Sequence, residues 1–302
     1  MSEKKAVHLG IVTPFTRDNQ VDVEGIRKNL DFYLSSGVHS IEPTSTSGEG
    51  SLLSVEEYEK VVRTTVDHVN GKVPVLAGTP GSTPDSIIRL AKLAKNIGVD
   101  GAYLSTPAYT MPTQEGLFAH FSKILSSVDI QFVIYNAVHR SGVDLSPEIV
   151  VRLANEFSNF SAYKEPSLAK AQKIMGLLGR RLSILVEDWL FVPGLVIGAS
   201  GVQTVVGSVV PQMVLDMYDK FVEGEIEEAA KIQIQLYPLI EILGSGAGGT
   251  DPSPAPIKAA MNMIGLAGGD PRLPILPAST ETRKRLRTLL AGLPVKLMAN
   301  SQ

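Results

Sequence analysis

No cysteine occurs anywhere in the 302 residues. That excludes disulfides, thiolate nucleophiles and cysteine-ligated zinc or iron–sulfur centres. Charge of one sign is also lacking. Lysine and arginine number 28 against 31 acids, a formal net charge of -3 with no basic stripe, so the chain carries no electrostatic footprint for nucleic acid. Long apolar runs are missing too: no stretch approaches the roughly twenty residues of a membrane-crossing helix. The opening "MSEKKAVHLG" has no apolar centre of the kind a signal peptide needs. We therefore expect a cytoplasmic protein with no membrane partner. What remains is 44% hydrophobic and 20% charged, an ordinary globular balance. The length suggests two domains, although barrels reach this size as one unit.

What is present is an alternation. Short apolar runs read as buried strands: "HLGIVTPF", "HSIEPTS", "VPVLAGTP", "GAYLSTP", "IQFVIYN", "FSAYKE", "LSILVED" and "GVQTVVG". Helical patterns separate them. "SVEEYEKVVRTTVDHV" opens with Ser54 as N-cap and acids in its first turn, and "TPDSIIRLAKLAKNIG" and "SPEIVVRLANEF" carry a first-turn proline. Gly37, Gly71, Gly98 and Gly179 suit left-handed C-caps. Continuous apolar strands between helices imply a parallel sheet under helical cover. Eight such units, ending near Gly224, predict a (β/α)8 TIM barrel over residues 1–224. A doubly wound open sheet is disfavoured because "VTPFTRDNQ" follows the first strand where that fold has its glycine fingerprint. Residues 225–302 read as a helical C-terminal extension built from "EIEEAAKIQIQLYPLIEIL", "APIKAAMNMIG" and "STETRKRLRTLLAGL". Its joint "GSGAGGTDPSP" follows a helix and lacks a P-loop lysine, so it reads as a flexible linker.

Chemistry in such barrels sits where strands end and the following loops begin. The second strand ends in Thr44-Ser45-Thr46-Ser47-Gly48-Glu49 and the fourth in Thr106-Pro107-Ala108-Tyr109. The fifth ends in Tyr135-Asn136 with Arg140 beyond, the sixth in Lys164-Glu165, the seventh in Glu187-Asp188. Each has an ordinary reading. A lysine pairs with a carboxylate, a tyrosine packs with one wet end, and a hydroxyl-rich segment makes turns. Glu187 and Asp188 read as helix caps or a metal site, but no histidine stands at ligand spacing. His68 and His120 fall within helices; only His139 lies near the mouth. Several strand ends supplying polar groups at once is harder to explain as packing. A lysine in an apolar pocket becomes a nucleophilic amine that condenses with a ketone. The protonated imine is an electron sink, a nearby tyrosine can move protons, hydroxyls can hold one carboxylate and an arginine another. That is a class I aldolase site.

The same residues are similar to the dihydrodipicolinate synthase/N-acetylneuraminate lyase family of pyruvate-dependent lyases, from "GIVTPF" to "PIKAAMNMIGL". "STSGEG" resembles the family's GTTGES, "YNAVHRSG" its YN-x-P-x-R-TG, "AYKEP" its G-[IV]-KE-A, and "STPAYTMPTQEGLFAHF" its TPYYN-x-P-x-QEGL-x-x-HF. The resemblance implies a homotetrameric barrel in which pyruvate forms an imine with Lys164. It also implies that Thr46 and Ser47 bind the pyruvate carboxylate, and that Tyr135 relays protons with Thr46 and with Tyr109 of a neighbouring subunit. Arg140 would bind the carboxylate of aspartate semialdehyde, and Gln203, on the eighth strand, joins the expected substrate-binding set. No cofactor is expected beyond the imine itself.

Departures from the motifs are Ser45, Gly50, Ala108, Val138, His139 and Ser208, expected to lie around the substrate. The expected activity is a synthase-like condensation of pyruvate with a small aldehyde. The alternatives are another family aldolase or dehydratase acting on a hydroxylated or sugar-derived 2-oxo acid, and a non-catalytic barrel that binds a small acid.

Overall fold

The computed structural model of the chain describes residues 7–244 and 251–298. Among the described residues eight strands run β1 Val7–Gly10, β2 Ser40–Glu42, β3 Leu76–Gly78, β4 Gly101–Ser105, β5 Gln131–Tyr135, β6 Phe160–Lys164, β7 Ser183–Val186 and β8 Gly201–Thr204. All pair in parallel, in the order β2-β1-β8-β7-β6-β5-β4-β3. The seam between β2 and β3 is bridged by Ile41 and Val75, and the Gly78 amide donates to the Pro43 carbonyl at 2.9 Å. A helix follows each strand, so the expected TIM barrel is the fold found.

Side chains of successive strand residues point to opposite faces. On β5, Phe132 and Ile134 join the layer beneath the helices, while Val133 and Tyr135 point into the barrel. On β6, Tyr163 packs outward and Ala162 inward, which puts Lys164 inside as well. On β7, Leu185 faces in between Ile184 and Val186, so the next inward position is Glu187. The strand period therefore aims Tyr135, Lys164 and Glu187 at one mouth.

The helix signals hold with two differences. Ser54 and Glu57 form a reciprocal capping box, and Thr83 and Ser146 cap the helices that begin at Pro84 and Pro147. Gly37 and Gly98 close their helices in left-handed conformation. The helix Val55–Val69 is instead closed by Asn70, whose short polar side chain tolerates that conformation, one residue before Gly71. Gly179 has φ 60 but ψ -130, outside the left-handed helical region.

The helices Ile226–Leu243, Ala255–Met263 and Thr280–Ala291 follow the barrel. Residues 245–250 of the expected flexible joint lie outside the described residues. The apolar core runs without a break from the barrel into the extension through Leu236, Ile240 and Leu243. Polar anchors reinforce this. Lys258, buried, sits 2.5 Å from Glu49 Oε1. Arg272 forks Glu57 at 2.7 and 2.5 Å, and its backbone amide donates to Glu49 Oε2 at 2.8 Å. Both cations lie over the Phe15 ring, at 4.3 and 4.0 Å. The extension thus holds the loop after β2, which carries the hydroxyl-rich segment. Among the described residues no helix is long and apolar enough to cross a membrane.

Candidate active site

A cavity opens at the carboxyl ends of the strands, lined by Ser45, Thr46, Ser47, Tyr135, His139, Arg140, Lys164, Glu187 and Gln203, among others. The extension contributes to the wall through Ile240, Leu243, Gly244 and Ser253. Lys164 is 3% exposed and terminates β6 beside Tyr135 of β5, its register partner. Its Nζ donates to Gln203 Oε1 at 2.5 Å, lies 2.7 Å from Glu187 Oε2 and stands 4.3 Å above the Tyr135 ring. The surroundings expected to be apolar are therefore polar: a carboxylate and an amide hold the amine.

The Tyr135 hydroxyl donates to Glu187 Oε1 at 2.8 Å. That contact replaces the expected one with Thr46, which sits exposed at the rim. Burial, followed by the charge of Glu187, holds the Tyr135 phenol well above its ordinary range. Ser45 and Ser47 bring their hydroxyls within 3.4 Å of each other on the floor of the cavity. Gly10 makes this possible, since a Cβ there would collide with the Gln203 amide and crowd both hydroxyls. Arg140 stands on the short helix Val138–Ser141 and reaches the same cavity. Burial pulls its guanidinium down from the usual value, with Tyr135 and Glu187 opposing. Tyr109 is not brought to this cavity: it is 97% exposed on the loop after β4, at φ 73.

Other strand-end residues have structural work. Asp188 accepts from the Val205 and Val206 amides at 2.9 and 3.3 Å, which makes it a cap for the turn after β8. Glu165 turns away from the mouth and accepts from Asn136 at 3.0 Å, within a network that also joins Asp144 and Lys170. Two departures expected around the substrate are explained by packing. Ser208 is buried, and its hydroxyl donates to the Gly10 carbonyl at 3.2 Å, away from the cavity lining. A Cβ at Gly50 would collide with the carbonyl of Thr44, a β-branched residue held at φ 56, so the serine of the motif does not fit here.

Nothing in the local sequence marks Glu42. It ends β2, fully buried, and neither carboxyl oxygen makes a well-formed hydrogen bond. Burial pushes its carboxyl up to about 7, with Lys164 and the Gln203 amide opposing. A carboxyl raised on folding stabilises the fold below its unfolded value near 4.5, and that contribution is lost as pH rises through about 7. Glu42→Gln should therefore match the parent near pH 4.5 and exceed it above pH 7, by about 3 kcal/mol at most. Melting temperatures compared across pH 5–8 test this. A difference that does not grow with pH would contradict it.

A lysine, a tyrosine and polar binding groups at the carboxyl mouth of a parallel barrel define a barrel enzyme with a lysine-centred site. Comparison with known proteins sharpens that class. Residues 4–292 match the model of the dihydrodipicolinate synthetase family. A 4-hydroxy-tetrahydrodipicolinate synthase of Methanothrix thermoacetophila is 38% identical over 290 residues, 95% of this chain and 96% of that protein. The Methanocaldococcus jannaschii protein of the same name is 36% identical, covering 96% of this chain and 98% of that one. The solved dihydrodipicolinate synthase from Aquifex aeolicus superposes with a TM-score of 0.91 at 33% identity, covering 97% of this chain and 99% of that one. The chain belongs to the dihydrodipicolinate synthetase family and is a lyase.

Proposed function

We propose that this chain is a Schiff-base synthase that condenses pyruvate with aspartate semialdehyde, the chemistry of the 4-hydroxy-tetrahydrodipicolinate synthases it resembles. The supporting observation is the buried amine of Lys164, held at the strand end by Gln203 and Glu187 and facing a cavity with Tyr135, Ser47 and Arg140. In this scheme Nζ attacks C2 of pyruvate and water leaves. The protonated imine withdraws electrons from C3, which loses a proton to give the enamine. The enamine carbon then attacks the aldehyde. Ser47 and Thr46 hold the pyruvate carboxylate, and Tyr135 moves protons at the carbonyl oxygens. The imine is the electron sink, so the scheme runs without a cofactor.

Arg140 sets the second substrate. Its planar fork suits a carboxylate gripped by two hydrogen bonds. Arg140→Ala should leave pyruvate imine formation intact and raise the KM for aspartate semialdehyde by roughly 10- to 100-fold, the worth of about 1.5–3 kcal/mol for a charged hydrogen bond. Steady-state kinetics with both substrates varied decide it. An unchanged KM, with neutral hydroxylated aldehydes turned over better than acidic ones, would assign the site to aldolase chemistry on sugar-derived acids instead.

We further propose a homotetramer with shared sites. Tyr109 and Met111 are 97% and 68% exposed, and both hold positive φ, 73 and 43. Exposed apolar side chains on strained backbone fit a loop completed by a second copy. Tyr109→Phe and Tyr135→Phe should each be nearly inactive alone, yet regain part of the activity when unfolded and refolded together, because one mixed site then holds both tyrosines. A fully active monomer in light scattering would refute sharing.

A further inference from the structure

Glu187 has no place in the scheme above, yet it makes the closest charged contact to the nucleophile. Its side chain is 9% exposed. Oε2 lies 2.7 Å from Lys164 Nζ, and Oε1 accepts the Tyr135 hydroxyl at 2.8 Å. One carboxylate therefore spans the amine that must lose a proton and the phenol that the scheme above sets beside the substrate oxygen. Neighbouring acids do not compete. Asp188 is spent on backbone amides, Glu165 on Asn136, and Glu42, whose charge reaches Lys164, makes no hydrogen bond to the amine.

We propose that Glu187 is a catalytic acid–base group of imine formation, moving protons between Lys164 and the Tyr135 hydroxyl. This rests on the imine reading of Lys164. Oε2 first takes a proton from the Lys164 ammonium, leaving a neutral amine and a carboxylic acid. The amine nitrogen bonds to C2 of the 2-oxo acid and the carbonyl π pair moves to oxygen. That oxygen takes the Tyr135 proton as Tyr135 takes one from Glu187. The new N–H⁺ returns a proton to Glu187. The C2 hydroxyl then leaves as water, protonated along the same Glu187–Tyr135 path, while the nitrogen lone pair forms C=N⁺. Glu187 ends as a carboxylate beside the iminium, which it stabilises, and the net change is one water released. The high phenol pKa of Tyr135 fits this role. Tyr135 gives up a proton only while receiving another, and Glu187 is the group bonded to it that can supply one.

The test is the rate at which pyruvate becomes reducible onto Lys164, read by rapid quench into borohydride and mass analysis of the Lys164 peptide over pH 6–9. Glu187→Gln keeps size and hydrogen bonding but cannot carry the proton. It should form the same adduct roughly 10²–10⁴ times more slowly, with a rate that climbs with pH as solvent base takes over. Glu187→Asp, which keeps the carboxylate, should recover much of the rate, and it remains a test should the glutamine variant fold poorly. The proposal is overturned if Glu187→Gln labels at the parent rate and pH profile, or if Asp and Gln slow labelling equally. If the parent protein gives no adduct at Lys164, the imine reading itself fails, and that outcome is distinct from either.

Discussion

Lys164→Arg should abolish turnover while leaving the protein folded. The guanidinium remains protonated at every accessible pH and cannot attack a carbonyl, so the covalent step has no nucleophile. Arginine is the informative replacement because it keeps a positive charge against Glu187, 2.7 Å away in the parent. Alanine would leave that carboxylate buried without its cation, at a cost on the order of 3–5 kcal/mol, and would confuse unfolding with lost chemistry. Enzyme assays beside melting curves measure both quantities. Measurable turnover above background in a folded Lys164→Arg protein would mean that another group carries the reaction.

The second large effect is at Tyr135. Tyr135→Phe keeps the ring 4.3 Å from the lysine amine and its packing with Tyr103, and removes only the hydroxyl that donates to Glu187. The expected fall in kcat is roughly 10²–10⁴, the usual worth of a positioned proton-transfer group. Melting should move little, since the hydroxyl faces a cavity that water can enter to satisfy Glu187 Oε1. A kcat within a few-fold of the parent would mean that the hydroxyl takes no part in proton transfer and the ring merely packs.

Much of this was legible from local signals. The alternating direction of strand side chains sends Tyr135 and Lys164, each at the end of its apolar run, the same way, and the N-cap at Ser54 and the first-turn prolines at Pro84 and Pro147 mark helices between the strands. What local pattern could not show was partnership across strands. Glu187 meets Lys164 and Tyr135 because β5, β6 and β7 are staggered by barrel closure, a relation set by shear rather than by any one segment. Its inward direction was readable from Leu185 two residues earlier; its partners were not. Glu42 is hidden in the sequence for a similar reason. A single acid in the short run "HSIEPTS" carries no sign of which way it points or how deeply the barrel buries it. The motif position of Ser208 implies a place near the substrate, whereas the turn after β8 turns its hydroxyl to the Gly10 carbonyl.

The most direct measurement is reduction of the protein with borohydride in the presence of pyruvate, followed by peptide mapping. Among the described residues two lysines are deeply buried, Lys164 and Lys258, and burial holds the Lys258 ammonium down at about 8, low enough to offer a free amine. Lys258, however, is tied to Glu49 and takes no part in lining the mouth. The account predicts a single pyruvate-derived mass increment on the peptide that contains Lys164, concurrent loss of activity, and no increment in Lys164→Arg. An increment on the Lys258 peptide, or full turnover with no reducible adduct at all, would contradict it.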